Sequence, residues 1–111
     1  MPKYAFFFSY TSESWARMIS ARGDRTAAVR QVLDSVGGSL ESIYWMSGSF
    51  DGLGIAELPD TASAAAVSIA VMSSGAFARN EMHEVIGQDE LDRALQQATA
   101  VTQAFEPPGR Q

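Results

Sequence analysis

Along the chain, short apolar runs alternate with stretches in which apolar residues recur every three or four positions. The run Tyr4-Ala5-Phe6-Phe7-Phe8-Ser9-Tyr10 is too short and too aromatic for an independent helix and predicts a first strand. Alternation puts Tyr4, Phe6, Phe8 and Tyr10 on one face and Ala5, Phe7 and Ser9 on the other. Both faces are apolar near the centre, which predicts a strand covered on both sides. Thr11 or Ser12 is placed to cap a following helix, with Glu13 in the first turn, where the helix dipole favours a carboxylate. Trp15, Met18 and Ile19 then share a helical face; the pattern breaks at Gly23-Asp24 and resumes with Val29, Val32, Leu33 and Val36. Residues 12 to 36 therefore read as one kinked helix or two segments, stopped by Gly37.

The stretch from Gly37 to Asp60 reads as a β-hairpin set between helices. Its first strand is expected to carry Leu40, Ser42, Tyr44 and Met46 on one face and Glu41, Ile43, Trp45 and Ser47 on the other. Gly48 to Gly52 makes the turn. Leu53 to Leu58 returns, with Gly54 and Ala56 on a small-residue face that permits close approach, and Pro59 ends the strand. Asp60 then caps an alanine-rich helix whose Ala64, Val67, Ile69, Val71 and Met72 offer apolar surface on more than one side, which predicts a deeply packed helix. Gly75 closes it. Arg79 to Ile86 is a fourth strand, with Asn80, Met82, Glu84 and Ile86 on one face and Glu81, His83 and Val85 on the other. A C-terminal helix starts at Gln88 or Asp89 and carries Leu91, Leu95, Ala98 and Phe105 near helical spacing.

The order β-α-β-β-α-β predicts an α+β fold of the ferredoxin-like kind: an antiparallel four-stranded sheet, two covering helices and an additional C-terminal helix. Residues 1–105 are expected to form a single domain and 106–111 a flexible tail. Two helices cover one sheet face. The other is expected to be closed by a partner chain or to wall a ligand cavity.

The strand from Pro2-Lys3-Tyr4 to Tyr10-Thr11, the Gly37-Gly38 pair, the segment Tyr44-Trp45-Met46-Ser47-Gly48-Ser49-Phe50-Asp51, the stop Glu57-Leu58-Pro59-Asp60 and Gly75 together resemble the GYD domain family of small bacterial proteins. The resemblance runs to about residue 95. The family's name-giving Gly, Tyr and Asp correspond to Gly48, Phe50 and Asp51, and Phe50 departs from the pattern by lacking the phenolic hydroxyl. The resemblance implies a dimeric α+β-barrel type of fold and self-association, and it carries almost no chemistry.

Composition narrows the function classes. A net charge of −5 and eight scattered Lys and Arg residues argue against nucleic acid and anionic membranes as partners. Without cysteine there is no disulfide, thiolate nucleophile or thiolate-bound metal, and a lone His83 gives no metal-ligand pair, so no metal site is expected. No cofactor is identifiable. No apolar run approaches the roughly 20 residues that span a bilayer, and Met1-Pro2-Lys3 leads straight into aromatics, so a cytoplasmic location is expected.

Two sets of residues are candidates for function. His83, whose unperturbed pKa lies near neutrality, is the candidate acid–base group or axial haem ligand, with Asp51 as a partner that orients it or a polar ligand. In structural terms, His83 is a strand residue with a hydrogen bond, and Gly48 and Asp51 are turn residues. Tyr4, Phe6, Phe8, Tyr44, Trp45 and Phe50 could line a pocket for a small hydrophobic or aromatic ligand, or serve as core and subunit interface. Glu41, Glu57, Glu81 and Glu84 could place a carboxylate near His83, or could be solvated edges. The leading expectation is a homo-oligomer with a small-molecule site at the open sheet face. The alternatives are an isomerase- or monooxygenase-like enzyme with His83 as acid/base, and a metabolite-binding regulatory module.

Overall fold

The computed structural model describes residues 1–109; positions 110–111, the end of the expected tail, lie outside the described residues. The elements are β1 (Lys3–Tyr10), α1 (Ser12–Ser20), α2 (Arg25–Asp34), β2 (Ser39–Trp45), β3 (Gly52–Glu57), α3 (Thr61–Ser73), β4 (Phe77–Val85) and α4 (Gln88–Ala104). The first three helices begin where polar side chains accept free backbone N–H groups of the first turn. Thr11 accepts from Ser14, Asp24 from Ala27 and Asp60 from Ser63. The Asp24 cap makes the first crossover two helices rather than one kinked helix. At the end of α2, Gly37 takes a φ of +77°, which a side chain resists, and the chain turns into β2.

The strands form one antiparallel sheet in the order β2-β3-β1-β4, so the first strand is central and the fold is α+β and ferredoxin-like. Residues opposed across the ladder share a face. Tyr4, Phe6 and Phe8 therefore stand with Ala56, Gly54 and Gly52 of β3 and with Glu84, Met82 and Asn80 of β4. This face meets α2 and α3: Tyr4, Leu33, Ala56, Leu58 and Ala64 form the buried core, with Phe6, Val29, Leu40, Val67 and Met82 packed on it.

Two expectations change. A bulge between Leu40 and Ser42 inserts Glu41 and reverses the alternation in β2. Leu40 faces the helices with Ile43 and Trp45, opposite Ala56, Gly54 and Gly52, whereas Ser42 and Tyr44 oppose Ile55 and Leu53 on the open face. The second change concerns α3, which is not deeply packed. Ala64 is its one buried residue, and Ile69 is 69% and Met72 41% exposed. A helix that is apolar all round has only one face to offer the sheet, and this fold lays nothing on the rest.

Helix α4 stands apart. It contains no buried residue, and Leu91, Leu95, Val101 and Phe105 are all exposed. The radius of gyration is 18.1 Å and the long axis 61 Å, against about 13 Å expected for a compact chain of this length. The excess length reflects a C-terminal helix that projects from the body. No helix among the described residues is long and apolar enough to cross a membrane.

Candidate ligand cavity and open sheet face

The cavity under the helices starts from two glycines. A Cβ on Gly54 would lie 2.2 Å from the Phe6 ring, and one on Gly52 would lie 2.3 Å from the Phe8 ring. Only glycine lets these two rings lie against β3, where they form a flat aromatic floor. Ala28, Val29 and Val32 of α2 and Val67 and Val71 of α3 are too short to fill the space above it. A cavity of about 130 Å³ results, closed on the β4 side by Phe77, Asn80 and Met82. An engineered cavity of about 150 Å³ in another protein stays dry and holds a benzene, so this one suits an apolar body of similar size.

Its polar groups gather on one side. Tyr10 and Arg25 line both this cavity and an adjoining recess of about 190 Å³, which Ser14, Arg17, Met18, Ala76 and Phe77 complete. Arg25 Nε is buried without a hydrogen-bond partner. Asn80 donates to the Ser68 hydroxyl at 3.0 Å. The Tyr10 hydroxyl accepts from Trp45 Nε1 at 3.1 Å, which leaves its own proton free to donate. Arg17, Arg25 and Asn80 are not singled out by the sequence reading. The available signal is an arginine directly after a helix cap and one turn before an apolar helical stripe, which also describes many solvated arginines.

The opposite face of the sheet has no helix over it. At its centre stand Phe7, Leu53, Ile55 and the 63%-exposed Tyr44, with Phe50 folded against Phe7 at 5.6 Å between ring centroids. Charged residues surround this centre. Lys3 pairs with Glu41 at 2.8 Å, and this partner holds the ammonium pKa above its ordinary value. Along β4, Arg79 lies 4.0 Å over the Phe50 ring, and Glu81 accepts from His83 Nε2 at 3.1 Å.

The candidate residues therefore separate. Phe6 and Phe8 line the cavity, Tyr4 lies in the core with its hydroxyl buried and unpartnered, and Trp45 braces Tyr10 at the rim. Tyr44 and Phe50 are on the open face. His83 opposes Ala5 there, with its ring edge on Phe7 at 6.1 Å between centroids. Asp51 is engaged elsewhere: one carboxylate oxygen accepts from the Tyr10 backbone N–H at 2.9 Å and from Trp15 Nε1 at 3.3 Å. Ala5 and Tyr10 are five positions apart on β1, about 16 Å at 3.3 Å per residue, so Asp51 and His83 do not meet. Among the described residues no His, Asp and Glu side chains cluster as a metal site would require.

Comparison with known proteins places this architecture. No curated protein matches the sequence. The crystal structure of MtbAldR aligns with a TM-score of 0.59 at 11% identity, over 78% of this chain and 54% of that one. The chain thus spans about half the length of that protein, and the likeness is one of fold. The family model described as the GYD domain matches residues 4–95, from the second residue of β1 into α4. That match takes in the sheet from Tyr4 onward together with the cavity, and by it the chain belongs to the GYD domain family.

Proposed function

We propose that this chain is a self-associating protein that binds a small apolar molecule. The observation that carries the reading is the cavity of about 130 Å³ between the sheet and helices α2 and α3, apolar on most sides, with a few polar groups converging at one end. Cavities of that composition are the usual form of a small-molecule site, since apolar walls supply affinity and sparse polar groups fix orientation. Phe6 and Phe8, expected as ligand contacts, lie in its floor. The ligand thus belongs under the helices, and the open face becomes available to a second copy.

Self-association rests on that open face, where an apolar centre of Phe7, Phe50, Leu53, Ile55 and Tyr44 is bordered by Lys3, Glu41, Arg79, Glu81 and His83. A core-and-rim arrangement of this kind is what subunit interfaces have. In this reading His83 and Glu81 are rim residues. Native mass spectrometry of the protein purified from its own host tests both parts together. The expected spectrum is a multiple of the chain mass carrying one extra small mass per chain. A monomer of bare protein mass would overturn the reading.

A further inference from the structure

We infer that the ligand is a small monocarboxylate, with its apolar tail in the cavity between α2 and α3 and its carboxylate held by Arg25 and Arg17 in the adjoining recess. The inference rests on the cavity reading above and adds the chemistry of the head group. The two spaces are contiguous, because Tyr10, Arg25 and Phe77 line both of them. The larger part of the wall is apolar and suits about six carbons. The recess brings together two guanidinium groups, on α1 and α2, in a protein of net charge −5.

Of those arginines Arg25 is half-buried and Arg17 exposed at the mouth of the recess. Neither is in an ion pair among the described residues; the carboxylates that do pair there meet Lys3, Arg79, His83 and Arg93. Burying a guanidinium N–H without a partner is costly, and Arg25 Nε is so buried. A carboxylate in the recess would accept from Arg25 Nε, and the fork geometry of guanidinium suits a two-oxygen acceptor. The free proton of the Tyr10 hydroxyl, fixed by its bond from Trp45 Nε1, gives a third donor at the same junction. The charged groups at that end only donate, because guanidinium has no lone pair to offer, and the Ala76 carbonyl beside them is already taken by the Thr11 N–H and the Ser14 hydroxyl; this selects against amines and favours carboxylates.

The test is an NMR titration of the full-length, ¹⁵N-labelled protein with hexanoate and, separately, with 1-hexanol, which has a tail of similar length and no charge. Hexanoate is expected to shift the Arg25 Nε–Hε resonance and the amides of Val29, Val67 and Phe8. Arg25→Gln should weaken hexanoate by about 10- to 100-fold, the loss of a hydrogen bond to a charged partner, while leaving hexanol unchanged. Val67→Phe, which fills the cavity, should weaken both, and its amide spectrum reports that it is folded. If hexanol binds as well as hexanoate, or Arg25→Gln binds hexanoate as the parent does, carboxylate recognition fails while the cavity reading stands. If neither probe moves the Val29, Val67 and Phe8 amides at millimolar concentration, both readings fall.

Discussion

Asp51 shows how a single side chain that invites a chemical role is used to hold the sheet end together. Its carboxylate accepts from the Tyr10 N–H, and the Trp15 indole donates to the same oxygen, so one residue ties the β2–β3 turn to the end of β1 and to α1. The backbone adds two more links, from Asp51 N–H to Phe8 O and from Met46 N–H to Asp51 O. Replacing Asp51 by Ala leaves the part-buried Tyr10 N–H without its acceptor and should lower unfolding free energy by about 1–3 kcal/mol. Asp51→Asn keeps an acceptor oxygen and should retain most of it. Urea unfolding of the two variants decides the matter: equal loss in both would mean that the charge, not the acceptor, is what the fold uses. Sequence alone marks Asp51 as a turn residue with a free carboxylate. Its partner at Tyr10 is 41 positions away, and nothing local encodes that bond. His83 is legible as the one imidazole, but its neighbours depend on ladder register, which a strand does not reveal by itself.

At the scale of elements, the caps were the most legible feature, because each depends on a side chain and a backbone group three residues apart. Asp60 caps as its position predicts, Thr11 is the one of Thr11 and Ser12 that caps α1, and Asp24, where the apolar pattern breaks, caps α2. Asp60 also makes the stability of α3 depend on pH. The Ser63 backbone N–H, followed by the Ser63 hydroxyl, stabilises its charged form and holds its pKa below the ordinary carboxylate value of 3.8. A depressed pKa in the fold means that the contribution is present above the unfolded value and disappears as pH falls through the folded one. The melting-temperature gap between the parent and Asp60→Asn, measured by circular dichroism, should therefore shrink as pH falls below about 3.9, where the parent's advantage is lost by protonation. A gap that stays constant through that range would show that the charged form is not the one bound by Ser63. What the elements concealed was parity and depth. The bulge at Glu41 costs one residue of register and turns Tyr44 outward, and no propensity distinguishes it from continued alternation. The alanine-rich α3 looks like a core helix by composition, yet depth depends on how many layers surround it, and here there is only one sheet.

For the whole molecule, the organising fact is that two sizeable apolar surfaces remain uncovered within one chain: the open sheet face and the stripe on α4. Leu91, Leu95, Ala98, Val101 and Phe105 recur at three- and four-residue steps, which gather them along one side of α4. At 17 residues α4 is only slightly longer than the roughly 12–15 residues below which isolated helices are marginal in water, and most helical stability in proteins comes from packing an amphipathic face. The projection of α4 puts that side out of reach of its own core, and in the proposed self-association a second copy would supply the apolar surface to cover it. The acidic first turn of Asp89 and Glu90 and the Glu90–Arg93 pair at 3.3 Å lie off the stripe, so in the proposed self-association α4 would make contact through the stripe alone. Leu95→Glu places a charge in the middle of it. Light scattering coupled to size-exclusion chromatography should then give a smaller assembly than the parent's, and in dilute solution the amide circular dichroism should lose helix as α4 frays. The same substitution should leave hexanoate binding intact, because the cavity between α2 and α3 is built without α4. An unchanged mass would remove α4 from the interface and leave self-association to the sheet face alone, where Tyr44 and Phe7 are the residues to charge next.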